Sequence, residues 1–488
     1  GWRCPFFNEC YLQNARRRAT TSHVVVVNHA LFFSEICAET SFLGKIGAIV
    51  FDEAHHLQDC GHRYLRTEID TNRINRFIEF MTNLMQTMDK HSLAEKSPGH
   101  STKKFKALLR QLRKRSTDFL NDILIYMKNN HKSEDDLFQK EYDQQLFESI
   151  PTRIGFEITI KEIQDFLYTI RLEYENDEEN ISEALGDIIS GVERAAQLKA
   201  DCDYLFHAMT EDHVFWLEGN INRGWVKLCG VPLNVAVMLR AVWERGDGAA
   251  VFTSATLSVA GSMDYFCKKT GLDGSLHEKT IHRFYPSPFL KEQMLPCAVK
   301  SSLNPDDPKY SEYVAKVVVE LSARLGKNTL VLFTANAMMS KVYDFIRNNS
   351  ALPSDFTVLC QGIGAGRAAL LEKFCDTPRT ILLGTDSFWE GVDAPGESCE
   401  IVIIPRLPFQ VPSHPLTRAL AAQAEKEYGE SFLSLSMPEA VIRFRQGAGR
   451  LIRTHEDKGA LIVLDHRLST KGYGAKFRKS LETTCEIC

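Results

Sequence analysis

No uninterrupted apolar run in the 488 residues approaches the roughly 20 residues that a membrane-spanning helix needs. That excludes helical membrane spans and predicts a soluble protein with no membrane partner. Residue 1 is Gly, and nothing near it has the charged, apolar and small-residue succession of a secretion signal. The expectation is a cytoplasmic chain that starts inside a longer gene product. Internal repeats and low-complexity tracts are also missing, which argues against a solenoid and against long disordered segments. Charge of one sign is not in large excess: 58 Lys and Arg stand against 63 Asp and Glu, a formal net charge of -5. A near-neutral total leaves nucleic acid open as a partner, because a local basic track suffices to bind a backbone. The 13 cysteines are mostly scattered and odd in number. Without a secretion signal they read as reduced thiols and not as a disulfide framework.

What is present is an ordinary globular composition, 44% hydrophobic and 25% charged, at a length that suits two to four domains. Short apolar runs at 23–33, 46–51 and 249–253 read as strands buried on both faces, as in a parallel sheet. From about 63 to 205 the sequence turns charged, Leu-rich and Gly-poor, with Phe105, Leu108, Leu109 and Leu112 at helical spacing, so this stretch reads as a mainly helical insertion. It carries a basic run of Lys103, Lys104, Lys106, Arg110, Arg113, Lys114 and Arg115, which fits either a solvated helix face or a contact with a nucleic-acid backbone. A second α/β region follows: a helix over 311–325 and strands at 329–334, 380–383, 400–404 and 460–464. Helices between several of these strands predict parallel pairing with crossover connections.

Four segments carry chemistry. Asp52-Glu53-Ala54-His55 directly follows the run at 46–51. Acids at the carboxyl end of a buried strand can hold Mg²⁺ with its water shell, the role expected of Asp52, and orient an attacking water, the role expected of Glu53. His55 would link them by hydrogen bonds to a second domain. Ser254-Ala255-Thr256 ends another strand-like run, and its hydroxyls could relay the state of the acidic site. Gln446-Gly447-Ala448-Gly449-Arg450-Leu451-Ile452-Arg453 spaces Gln446, Gly449, Arg450 and Arg453 by three- and four-residue steps, so on a helix they share one face. Gly449 then allows close approach, and the planar, permanently charged forks of Arg450 and Arg453 suit a triphosphate. Arg443 and Arg445 add to the local field. Gly384 to Asp393 follows the strand at 380–383 and packs small, acidic and aromatic residues into one loop. There Gly384, Asp386, Glu390, Gly391 and Asp393 are candidates for sensing nucleotide state. Phe388 and Trp389 fit two roles equally, stacking on a base or plugging a gap between domains.

The order and wording of these segments resemble motifs II, III, V and VI of superfamily 2 helicases. The long insertion between motifs II and III resembles the Arch domain of the XPD-like group. Val-Asn-His-Ala-Leu around Asn28 and His29, Asp-Glu-Ala-His-His, Ser-Pro-Phe at 287–289 and Leu-Asp-His-Arg ending at Arg467 look most like bacterial DinG and its relatives. The chain is thus identified as a DinG/XPD-type superfamily 2 DNA helicase. This implies an α/β fold of two RecA-like parallel-sheet lobes with an Arch-like insertion in the first. The division would be 1–22 for the remnant of an iron–sulfur domain, 23–62 and 206–280 for the first lobe, 63–205 for the insertion and 281–488 for the second lobe.

The resemblance implies ATP and Mg²⁺ as cofactors and 5′-to-3′ movement on single-stranded and forked DNA by a monomer. It implies strand contacts by Asn28, His29, Ser254, Thr256, Phe388, Trp389 and Arg406, with Gln361 and Gly362 as further second-lobe candidates. Cys4 and Cys10 look like the last two of four ligands of a 4Fe-4S cluster, since thiolates are the donors such clusters use. No other cysteine precedes Cys4, and no G-x-x-x-x-G-K-S/T phosphate loop occurs anywhere. Truncation would explain both absences, and the chain as given should bind ATP poorly. Two alternatives stay open: the motor-like part of a DinG-type exonuclease, and a nucleic-acid-binding module that does not hydrolyse ATP.

Overall fold

A computed structural model describes residues 6–37, 43–44, 46–90, 101–131, 137–174, 182–208, 210–245, 248–259, 261–299, 303–348, 352–389, 398–410, 413–481 and 483–487. The chain divides into two compact units. One comprises Gly1–Ile49, His56–Ala249 and Ser413–Ala419; the other comprises Val50–His55, Ala250–Pro412 and Leu420–Cys488.

The first unit is dominated by the insertion. Four long helices, Thr71–Lys90, Thr102–Asn130, Thr152–Tyr174 and Ser182–His207, pack around one apolar core. The expected periodicity is visible in the second of them, where Phe105, Leu108, Leu109, Leu112, Phe119, Ile123 and Met127 are all buried. The insertion is not helical throughout. Strands β2 (Thr67–Asp70), β3 (Leu137–Glu141), β4 (His213–Asn220) and β5 (Trp225–Pro232) form an antiparallel sheet in the order β2-β5-β4-β3. Phe215, Leu217, Val226 and Leu228 of this sheet join the helical core, so residues on both sides of position 205 build one folding unit.

The second unit is organised by a seven-stranded parallel sheet. Its strands are β7 (Met294–Ala298), β8 (Thr329–Leu332), β9 (Thr357–Cys360), β10 (Thr380–Gly384), β11 (Ile401–Ile404), β12 (Gly459–Val463) and β13 (Glu486–Ile487). Their order is β13-β7-β12-β11-β8-β10-β9. Strands β8, β10 and β11 are buried at every position, which is why their sequences are apolar without alternation. Two cores cover the two faces of the sheet, one holding Leu330, Leu332, Leu382 and Val402, the other Val331, Ile381, Leu383 and Ile403. The neighbouring residues Leu330 and Val331 fall in different cores because successive side chains point to opposite faces.

Strands β1 (Ala48–Phe51) and β6 (Ala249–Phe252) pair in a separate two-stranded sheet. The run at 23–33 departs from expectation. Residues 24–28 have no regular structure, with Val24 at 80% and Val26 at 93% exposure, and a helix takes over at His29–Cys37. A β-branched run makes a strand only where a neighbour offers backbone partners, and among the described residues none pairs with this one.

Candidate active site

The end of β1 and the end of β6 are tied by backbone bonds, Thr253 N–H to Phe51 O at 2.9 Å and Ala54 N–H to Thr253 O at 3.0 Å. This clamp sets the turn that carries the acids. Glu53 sits in it with φ 47°, a left-handed conformation uncommon for a non-glycine residue. Asp52 and Glu53 are both exposed, and the Glu53 N–H donates to Asp52 Oδ1 at 3.0 Å.

From Glu53 a run of hydrogen bonds crosses three motifs. The Ser254 hydroxyl lies 3.0 Å from Glu53 Oε2, and His55 Nδ1 lies 2.7 Å from Ser254 Oγ and 3.3 Å from Glu53 Oε2. The Gln446 amide nitrogen contacts His55 Nε2. An amide nitrogen only donates, so Nε2 is the acceptor and the imidazole proton belongs on Nδ1. All donors then point one way: Gln446 to His55, His55 to Ser254, Ser254 to Glu53. The glutamate receives the end of the chain on Oε2. Oε1 makes no bond in this run and can accept from a water.

Gln446 occupies the last turn of the helix Met437–Ala448. That helix ends earlier than its sequence spacing suggests, so the shared face expected for 446, 449, 450 and 453 is not realised. Gly449 caps the helix with φ -66°, and Arg450 N–H bonds back to Gly447 O at 3.2 Å in the turn that follows. Arg450 Nε donates to Trp389 O at 2.9 Å. Arg453 lies beyond the turn, its N–H donating at 2.7 Å to Asp457 Oδ2, a buried carboxylate that also takes Thr454 N–H at 2.8 Å.

Close packing against the rest of the protein falls on Gly447. A Cβ on Gly447 would stand 2.8 Å from Trp389 Cζ3, whereas one on Gly449 meets only its own helix end at 3.3 Å. Gly384 serves packing in the same way, since a Cβ there would reach Phe388 at 2.6 Å.

Residues 318–484 match the helicase C-terminal domain family. Over 492 residues the chain is 30% identical to the ATP-dependent DNA helicase YoaA of Haemophilus influenzae, covering 99% of this chain and 70% of that protein. It is 28% identical to the 3′-5′ exonuclease DinG of Bacillus subtilis, covering 97% of this chain and 53% of that protein. Among solved structures an apo XPD structure aligns with TM-score 0.53 over 98% of this chain and 84% of its own length, at 14% identity, a likeness of fold alone. The chain belongs to the DinG/XPD-type superfamily 2 helicases.

Within a DinG-type framework several expected strand contacts are relocated. Phe388 and Trp389 are both 0% exposed in the core, and the Trp389 indole N–H donates to Phe333 O at 2.8 Å, so neither ring offers a face to a base. The Arg443 guanidinium lies 5.2 Å from the Trp389 ring centre, a cation–π contact that further encloses it. Ser254 is engaged with Glu53 and His55, and Thr256 is buried with its N–H on Ser254 Oγ at 3.2 Å, so both face the acidic site. In the other unit Asn28 caps the helix His29–Cys37, its Oδ1 accepting from Leu31 N–H at 2.8 Å. His29 is half-buried, with Nδ1 3.8 Å from Cys60 Sγ. Arg406 is half-buried at the end of β11, 3.4 Å from Asp306 Oδ1 and 5.8 Å from the Tyr310 ring centre. Glu390, Gly391 and Asp393, and the side chain of Asp386, lie outside the described residues.

The expected iron–sulfur half-site is Cys4 and Cys10. Cys4 lies outside the described residues, and among those described no group of three or more His, Cys, Asp or Glu could hold a metal. Cys10 precedes the helix Tyr11–Thr21, and the backbone N–H groups of Gln13 and Leu12 draw its thiol below the usual value. Mg²⁺ is a different case. It takes one or two carboxylates and completes its shell with water and phosphate oxygens, and the exposed Asp52 fits that demand.

Sequence reasoning missed three further links. Glu439, two turns before Gln446 on the same helix face, accepts from Tyr265 OH at 2.9 Å and pairs with Lys269. Arg445 Nη1 reaches Ser258 O at 3.5 Å. At the carboxyl edge of the parallel sheet, Gln361 Oε1 accepts from Thr385 N–H at 2.8 Å, and the Thr385 hydroxyl lies 3.1 Å from Asn336 Oδ1. The helical period of 3.6 could have paired Glu439 with Gln446. Nothing in the sequence names Tyr265 or Lys269 as partners.

Proposed function

We propose that this chain is the motor of an ATP-dependent DNA helicase that moves 5′ to 3′ on single-stranded DNA and opens forked duplexes as a monomer. The observation that carries the reading is the donor chain from Gln446 through His55 and Ser254 to Glu53, in a chain that belongs to a helicase family. In this reading Asp52 holds Mg²⁺, which neutralises charge on the phosphates when bound. Glu53 accepts a proton from the attacking water, and the Ser254 hydroxyl fixes its carboxylate. His55 passes the position of Gln446 to that carboxylate, so the state of the motif VI helix reaches the reacting water. Arg450 and Arg453 spread the charge that develops on the transferred phosphoryl. The chain's residues contain no G-x-x-x-x-G-K-S/T segment, so weak ATP binding is expected of them alone.

The test is ATP turnover by the protein as its gene encodes it, with and without single-stranded DNA. Turnover should rise with DNA, and Glu53→Gln should abolish it while nucleotide binding persists. Unchanged turnover in Glu53→Gln would remove the assignment. One observation favours a second reading: a relative at 28% identity is named a 3′-5′ exonuclease, and this chain spans 53% of it. DNA shortening without DNA-stimulated ATP turnover would favour that reading instead.

A further inference from the structure

The helix Thr102–Asn130 turns its apolar residues toward the core of the first unit and a strip of cations directly away from it. At 100° per residue, Lys103, Lys106, Arg110, Arg113 and Lys114 fall within one arc of about 100°, opposite Phe105, Leu112 and Phe119. All five are exposed, while those three apolar residues are fully buried. The strip extends about 16 Å along the helix at 1.5 Å per residue. None of the five side chains makes an ion pair or hydrogen bond with any described residue. Asp118, one turn beyond Lys114, is not paired with it.

This arrangement works against the helix that carries it. The first turn, after the Ser101 cap, holds no acid, and Lys103 and Lys104 add positive charge where the helix dipole is already positive. Lys103–Lys106, Lys106–Arg110, Arg110–Arg113 and Arg110–Lys114 are like-charge neighbours at three- or four-residue spacing, which repel. A merely solvated face would be better served by mixed signs. The net charge of the chain is -5, so the crowding does not reflect a generally basic protein.

We infer that this strip is a nucleic-acid contact, a track on the helical insertion that grips a DNA phosphate backbone. It rests on the reading that the partner is DNA. Steps of three and four residues from Lys103 to Arg113 place successive cations about 4.5–6 Å apart along the axis, a continuous row of positive charge that a phosphate backbone can neutralise along its length. DNA is favoured over an acidic peptide because the chain belongs to a helicase family. The buried opposite face leaves no apolar side to enter a lipid surface, which distinguishes this helix from a membrane-lying one.

The test is fluorescence anisotropy of a labelled single strand, long enough to span the strip several times over, titrated with this chain over a series of salt concentrations. The variant is Lys103→Glu, Lys106→Glu and Arg110→Glu together. It should bind at least about tenfold more weakly at low salt, and its salt slope should be shallower by roughly 2, since each phosphate contact contributes about 0.7 for single strands. Its thermal midpoint should hold or rise, because glutamates suit the first turns and a glutamate at position 110 would precede Lys114 by four residues. Lost binding with raised stability cannot be a folding defect. A charge-matched control, Lys316→Glu, Arg324→Glu and Lys341→Glu, should bind like the parent. Equal binding by parent and strip variant would overturn the inference and leave the helicase reading intact. No DNA binding by the parent would remove both. Strip-dependent capture on anionic vesicles without DNA binding would also overturn it.

Discussion

Gly447→Ala tests how tightly the motif VI helix is built against motif V. An added Cβ would stand 2.8 Å from Trp389 Cζ3, 2.9 Å from Cε3 and 3.2 Å from Leu332 Cδ1. Ordinary carbon contacts are about 3.5–4.0 Å, so the ring would have to retreat by roughly 0.7 Å. It has nowhere to go: Trp389 is 0% exposed, its N–H is on Phe333 O at 2.8 Å and its carbonyl holds Arg450 Nε at 2.9 Å. Overpacking of this kind costs about 1–3 kcal/mol. Alanine returns about 1 kcal/mol through helix propensity. Gly186→Ala supplies the comparison, since it lies in the helix Ser182–His207 with nothing within 4 Å of the new Cβ. Propensity then cancels between the two variants, and the difference, about 2 kcal/mol, is the steric term alone. Unfolding of a chain with two units need not be two-state, so a local measure is required. Hydrogen exchange in peptides covering 437–453 and 182–207 provides one. The first should lose protection in Gly447→Ala, and the second should gain it in Gly186→Ala. Equal protection gains in both would refute the close-packing argument and free Trp389 to move.

Three further outcomes are expected. In a double-mutant cycle, Glu439→Gln and Lys269→Met should be non-additive by about 0.5–3 kcal/mol in urea unfolding, because the carboxylate and the ammonium share one contact; additivity would mean the pair is idle. Cys10 should react with a thiol reagent near neutral pH much faster than Cys399, because backbone N–H groups of Gln13 and Leu12 draw the first thiol down while burial pushes the second up to about 12; reversed rates in mass-mapped labelling would contradict both environments. Burial, then the Arg66 guanidinium, lowers the His414 pKa below its ordinary 6.5. The unfolded chain therefore takes up the proton first, and stability present above about pH 6.5 falls as pH drops toward the folded value, a loss that His414→Gln should blunt in thermal melts across that window.

Much of the second unit was legible because burial on both faces writes itself as an unbroken apolar run. Thr329–Leu332, Thr380–Gly384 and Ile401–Ile404 were all read this way. Strand β7, Met294–Ala298, was not, since its Pro296 and partly exposed pattern carry no such mark. The same signal misled at Val24–Val27, because apolar character reports a preference for burial and cannot report whether a partner strand is present. In the site, spacing identified the right segments and misjudged their geometry. A helical face was inferred through Arg453, yet the helix stops at Ala448, and the glycine that packing within the protein requires is Gly447. Which of two glycines is required depends on what lies across from it, here Trp389, far earlier in the sequence and therefore invisible to local period. The aromatics show the same limit in reverse. Phe388 and Trp389 are adjacent to polar loop residues, which suggests exposure, but the Gly384 and Gly447 backbones open the space that takes both rings inside. His55 was expected to bond toward a second domain, and the partner it meets is the residue whose amide decides its tautomer. Local chemistry thus named the participants. Only long-range packing fixed which of them meet one another, which steer a neighbour, and which fill the core.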